Sequence, residues 1–213
     1  MKKKFLISLA LIFLTPYAFS QDKKAETILK DVSAKTKSYK SIHIDFTMIS
    51  ENKASSKKEL REGSLLNKGD KYKLNLAGQT VISDGKTVWT YIKDANEVQI
   101  NSVGENDDAF TPSRLLSSYT ENYKTKFAGD KQLEGKAVYF IDLTPLKKGK
   151  SFTRVRLTVD KIKSQLMNVA VYNKDGSTFT YKIKKFITNQ PVAESEFLFK
   201  AGNYPGVEII DMR

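Results

Sequence analysis

The chain contains no cysteine, one histidine and one tryptophan among 213 residues, and only five prolines. Without cysteine there is no disulfide, no thiol nucleophile and no lipid anchor on an N-terminal cysteine. The lone histidine, His43, alternates with Ile42 and Ile44 and therefore points away from them, toward solvent or the outer side of a sheet. A Ser-His-Asp triad has no natural place there. Glycine-rich phosphate loops and the nucleophile elbow are missing. The acidic stretch 105–108 lacks the glycine and the twelve-residue spacing of a calcium loop, and nothing nominates a carboxylate pair for glycoside hydrolysis. No catalytic residue, metal or cofactor is expected, and an enzyme is not expected.

Long hydrophobic runs are also missing, with one exception. Met1-Lys2-Lys3-Lys4 precedes the apolar run Phe5–Leu14, and Ala18-Phe19-Ser20 places small residues before a polar start at Gln21. This is the pattern of a cleavable secretory leader, 1–20, cut after Ser20. The run falls short of the ~20 residues a membrane span needs. Residues 21–213 are expected to form one exported domain, large enough for a core or a ligand cavity. Loss of Lys2, Lys3 and Lys4 with the leader lowers the formal charge from +12 to +9. The remaining lysines are scattered and do not form one aromatic-interleaved stripe, so solvated strand faces explain most of them and nucleic acid is not expected as a partner.

Along the chain, Ala25, Ile28, Leu29, Val32, Thr36 and Tyr39 recur at steps of three and four, which predicts an amphipathic helix over Asp22–Tyr39. From residue 42 the period changes to two. Strands are predicted from Ile42, and then at Lys58–Leu66, Lys71–Leu76, Gln79–Ser83, Lys86–Lys93 and Glu97–Val103, separated by turns as short as Ala77-Gly78 and Asp84-Gly85. Such short connections imply antiparallel neighbours. Thr111-Pro112 supplies a cap and a first-turn proline for a short helix through Leu115, Leu116 and Tyr119. Strands resume at Lys124–Ala128, Lys131–Leu133, Ala137–Leu143, Phe152–Asp160, Gln165–Asn173 and Ser177–Phe186. A helical turn at Pro191–Glu196 and a final strand Val207–Ile210 follow. The fold class is α+β, built on a single antiparallel sheet of about eleven strands. A sheet that wide curls. Its concave face would be covered by the helices, either as a filled core or as a loose lid over an apolar hollow.

The hairpin Ile82-Ser83-Asp84-Gly85-Lys86-Thr87-Val88-Trp89-Thr90-Tyr91 closely resembles the strand-turn-strand signature of the LolA family of periplasmic lipoprotein carriers. Matches in the same order are Thr111-Pro112 with Leu115-Leu116, Leu143-Thr144-Pro145 before a basic loop, Asp175-Gly176, Phe197 with Phe199, and Pro205-Gly206-Val207. The resemblance implies an unclosed half β-barrel with short helices as a lid, in the periplasm. It implies a monomeric carrier that takes acylated lipoproteins from an inner-membrane lipoprotein-releasing transporter and hands them to an outer-membrane acceptor. One departure stands out: the arginine that in the family holds the lid shut falls on Gly69, and neighbouring Lys68 lacks the planar fork of an arginine.

On that basis the acyl chains are expected against Ile42, Ile44, Phe46, Met48, Trp89, Tyr91, Val155, Leu157, Val169 and Val171, with Ile28, Leu29, Val32, Leu115 and Leu116 as the lid. A slip of one residue in any strand would exchange its members for their neighbours. Two alternatives stand beside the carrier: a lipid- or lipoprotein-binding sensor on the same scaffold, and a rigid envelope adaptor with a filled core.

Overall fold

The structure, a computed structural model, describes residues 17–52, 57–76, 78–104 and 122–213. Among these residues one helix, α1 (Tyr17–Ser38), precedes twelve strands in a single sheet. They are β1 (Ile42–Asn52), β2 (Lys57–Lys68), β3 (Lys71–Leu76), β4 (Gln79–Ser83), β5 (Thr87–Ile92) and β6 (Glu97–Ser102), then β7 (Tyr123–Leu133), β8 (Lys136–Pro145), β9 (Phe152–Asp160), β10 (Gln165–Asn173), β11 (Ser177–Thr188) and β12 (Glu208–Asp211). The order across the sheet is β12-β6-β5-β4-β3-β2-β1-β11-β10-β9-β8-β7, so β7 and β12 are edges and the sheet is unclosed. The expected leader lies almost wholly outside the described residues, as does the short helix with Leu115 and Leu116.

All neighbours are antiparallel except β12, which runs parallel to β6. The short-turn rule fails there because the chain reaches β12 through a long segment, and two short 3₁₀ turns, Glu194–Phe197 and Ala201–Asn203, lie on the way. The predicted strands Lys124–Ala128 and Lys131–Leu133 are one strand: at Gly129, the site of the predicted turn, the register shifts in a bulge and the ladder continues. Gly129 has φ 116°, which suits a bulge as well as a turn.

Bulges also decide which side chains share a face. Phe46 pairs with Ile183 and Asp45 with Lys185, leaving Lys184 as an extra residue in β11. Tyr181, Ile183 and Phe186 therefore all reach the same face, where strict alternation would have turned Phe186 away. In β10 the extra residue Met167 does the same for Leu166 and Val169. Each insertion adds local twist, which curls the sheet.

The helix-covered face carries two apolar clusters. In the first, Ala25, Leu29 and Val32 of α1, all fully buried, pack on Ile141, Leu143, Val155, Leu157 and Val159. Thr36, at the polar end of this stripe, donates its hydroxyl to the Val32 carbonyl at 2.8 Å. The second cluster joins Ile42, Ile44, Phe46 and Met48 of β1 to Leu65 and Tyr72 of β2 and β3. Tyr181 and Ile183 pack against both clusters and connect them.

Gly63 shows how tightly the second cluster is set. A Cβ there would stand 2.4 Å from Phe46 Cζ and 2.9 Å from the Asn75 carbonyl. The Phe46 ring covers this gap and meets Tyr181 edge-to-face at 5.7 Å. Gly63→Ala is therefore expected to destabilise the fold by about 1–3 kcal/mol, read as a lower urea midpoint. Phe46→Leu in the same chain should recover only part, because the carbonyl clash stays.

Candidate functional site

The alternating pattern Ile42–Met48 places four apolar side chains of β1 on one face, between 2% and 7% exposed. Cross-strand pairing extends that face. Ile44 lies opposite Leu65, Leu65 opposite Leu74, and Leu74 opposite Val81. In the other direction Met48 lies opposite Tyr181, Tyr181 opposite Val169, Val169 opposite Leu157, and Leu157 opposite Ile141. Eight of the ten residues expected against acyl chains, Ile42, Ile44, Phe46, Met48, Val155, Leu157, Val169 and Val171, therefore share one continuous apolar surface. Burial pushes the Tyr181 phenol above its ordinary pKa, as a low-dielectric setting requires.

Trp89 and Tyr91 are not part of it. Leu74 pairs with Val81 and Val81 with Thr90, so the face shared with Ile44 takes Val88, Thr90 and Ile92 of β5. Trp89 stands opposite Ile82, which stands opposite Lys73, on the reverse side of the sheet. Both faces of the Trp89 hairpin are apolar, so periodicity alone could not choose between them; only the register chain from β1 to β5 does. Among the residues missed, Tyr72, Leu74 and Val81 of β3 and β4 and Phe179, Tyr181, Ile183 and Phe186 of β11 belong to or pack against the second cluster, as does Leu65 of β2, while Ile141, Leu143, Val159 and Leu166 belong to the first. Alternation would have found Tyr72, Leu74 and Val81, but the β11 bulge hides Phe186.

Of the lid residues, Leu29 and Val32 are fully buried in the first cluster and Ile28 packs against it. Beside Ile28 a cavity of about 390 Å³ opens between α1 and the sheet, with Tyr139 and Val159 on its walls and Lys24 and Lys161 among the polar residues around it. The Lys24 ammonium lies 3.9 Å from the centre of the Phe127 ring, and Lys161 pairs with Asp130. This opening at the flank of the helix has a mixed lining, in which Ile28, Tyr139 and Val159 stand among Lys24, Asp31, Asp160 and Lys161.

The reverse face carries the end of the chain. Lys68, next to the position that corresponds to the family's lid arginine, reaches that side and donates to Glu194 at 2.6 Å and to the Val192 carbonyl at 3.4 Å. Lys71 meets the other oxygen of Glu194 at 2.6 Å and Lys73 meets Glu196 at 3.0 Å. Phe197 follows, fully buried, and Tyr204 lies 4.4 Å from the ring centre of Tyr91. Lys68 thus ties down the C-terminal segment and not the helix side, while Gly69 serves a turn at φ 58°.

His43 also points to the reverse face, 3.2 Å from Asp45, with both side chains over two-fifths exposed. In the Trp89 hairpin, Asp84 accepts from the backbone N–H groups of Lys86 and Thr87, both at 2.8 Å, and so shapes the turn. Among the described residues no group of three or more histidine, cysteine or acidic side chains is placed to hold a metal. No described helix is long and apolar enough to cross a membrane.

The family model described as outer membrane lipoprotein carrier protein LolA matches residues 20–200. The chain belongs to the LolA family. It is 33% identical over 133 residues to an outer-membrane lipoprotein carrier protein of Pasteurella multocida, covering 62% of this chain and 60% of that one. It is 25% identical over 201 residues to an uncharacterized protein of Methanocaldococcus jannaschii, covering 92% of this chain and 58% of that one. The chain thus spans less than two thirds of the length of these relatives. Among solved structures, an uncharacterized conserved protein of Thermus thermophilus shares the fold, with a TM-score of 0.60 at 11% identity over 88% of this chain and 99% of that one. The LolA match includes α1 from Ser20 and both apolar clusters and stops before β12.

Lys68 and Lys71 hold the Glu194 carboxyl well below its usual range, at about 2. A carboxyl whose pKa is depressed on folding contributes above its ordinary pKa and loses that contribution as pH falls toward the folded value. The C-terminal segment is therefore expected to loosen between about pH 4.5 and 2, seen as a change in Trp89 emission on the same face. Glu194→Gln should flatten that transition.

Proposed function

We propose that this protein is a carrier of acylated lipoproteins, exported behind a cleaved leader at 1–20 and working as a monomer between the two membranes of a cell envelope. The observation that carries the proposal is the continuous apolar face from Val81 to Ile141, faced by an amphipathic helix that packs on one of its two clusters. Family membership and the carrier relative of Pasteurella multocida support the same reading.

The physical need is plain. Exposing an acyl chain of about sixteen carbons to water costs on the order of 12 kcal/mol at ~0.8 kcal/mol per methylene, so a multiply acylated protein does not diffuse free. Two sheltered clusters joined by Tyr181 and Ile183 offer a lipid tail an extended apolar path. A tail would enter at the helix seam beside Ile28, where Ile28, Tyr139 and Val159 give it apolar contact among charged residues such as Lys161, which keeps its own partner Asp130. An inner-membrane releasing transporter would load the carrier and an outer-membrane acceptor would empty it. No step requires bond making, so the role is that of a binding protein and not of an enzyme.

Two measurements test this. Mass spectrometry of protein isolated from its own host should find co-purifying acylated lipoprotein. A free glycolipid in its place would favour a sensor on the same scaffold, and an empty protein would favour a filled adaptor. Charge on the apolar face gives the second. Ile44 is only 2% exposed, so a carboxylate there would cost folding as well as binding. Leu74, half-buried on the same face, is the better site. Leu74→Glu is expected to keep native circular dichroism and to lose at least about tenfold in lipoprotein release from spheroplasts, since a charge cannot share that face with a hydrocarbon tail; normal release would remove this face from the path of the cargo.

A further inference from the structure

On the reverse face, Asp45, Ser64, Asn75, Thr80 and Tyr91 stand directly opposite one another in five successive strands, β1 to β5. With strands ~4.8 Å apart, they form a polar ladder roughly 19 Å long across the sheet. The ladder is the floor of a groove of about 530 Å³, to which Glu62 and Lys93 also contribute.

The floor is internally ordered. Thr80 Oγ1 donates to Asn75 Oδ1 at 3.1 Å, and Asn75 Nδ2 donates to Ser64 Oγ at 3.2 Å. Ser64, as acceptor, keeps its own proton to donate, and Thr80, as donor, keeps lone pairs to accept. At one end Asp45 presents a carboxylate that is 41% exposed. At the other, Tyr91 is fixed by its hydroxyl, which donates to Asn96 Oδ1 at 3.3 Å, and by its contact with Tyr204.

We propose that this groove binds a neutral linear glycan, laid across the strands. A ligand here meets alternating donors and acceptors at a spacing close to one sugar ring per strand, with an aromatic ring at one end. Glycan hydroxyls both donate and accept, which suits such a row. An extended peptide does not fit: within the sheet the backbone groups are spent on neighbouring strands, and a peptide strand needs an open edge. A polyanion does not fit either: Glu62 is already paired with Lys184 at 2.8 Å, which leaves the Asp45 carboxylate and the Lys93 ammonium to offset each other and gives the groove no surplus of positive charge. The inference is independent of what the opposite face carries.

The test is an NMR titration of the full chain with chitotetraose. Saturable shifts are expected at Ser64, Asn75, Thr80 and Tyr91, with residues of the helix-covered face unmoved. Thr80→Val and Asn75→Leu, each checked for native circular dichroism, should each weaken binding about tenfold, the loss expected for one or two hydrogen bonds. Leu74→Glu on the other face should leave the titration unchanged, so failure of the carrier reading and failure of this one are separable. Absence of saturable shifts at millimolar glycan, shifts that both groove variants leave intact, or a stronger response to an extended Gly-Ser peptide would each overturn the proposal.

Discussion

Cross-strand register is the constraint on which everything else in this molecule rests. Twelve strands are paired in one unbroken order, so the direction in which Ile44 points fixes the direction of Leu74, Thr90 and Leu157. Because side chains alternate, the make-up of both faces, one continuously apolar and one mixed, follows from a single choice. Bulges at Lys184, Met167 and the Phe127–Gly129 step are freedoms the ladder uses in β11, β10 and β7, and each brings an otherwise misdirected side chain back to its face or bends the strand.

Once the two faces are set, their chemistry diverges. The apolar face buries Ile42, Ile44, Phe46 and Met48 together with Val155, Leu157, Val169 and Val171, and receives α1 through Ala25, Leu29 and Val32. Helix packing is concentrated on the first cluster, while the second is gathered around Phe46 and Gly63.

Away from its apolar patch around Trp89, the reverse face is organised by ion pairs and side-chain hydrogen bonds. Glu194 and Glu196 fasten the C-terminal segment to three lysines of β2 and β3, and Phe197 buries itself there. Further along the sheet, Asp142, only 13% exposed, accepts from both Arg154 and Arg156, and the Arg154 guanidinium stacks 4.1 Å from the centre of the Tyr172 ring. These contacts hold long cationic side chains flat against the strands. An exposed face that would otherwise be a loose lysine fringe becomes an ordered surface, and the groove over Ser64, Asn75 and Thr80 is a concave part of it.

By itself the sequence determined the α+β class, the helix through Ala25, Leu29 and Val32, the positions of nearly every strand, and the LolA family. These are legible because period, turn chemistry and short connections are local properties. The inward direction of β1 was legible too, since Ile42–Met48 has only one apolar side. What only the tertiary structure decided was the side taken by strands that are apolar on both faces: Trp89 and Tyr91 went to the reverse face because four intervening pairings put them there. It also decided that Lys68 serves the C-terminal segment, that Gly129 continues a strand, and that β12 returns parallel to β6. Each of these depends on residues far apart in the chain meeting across the sheet, and no local pattern carries that information.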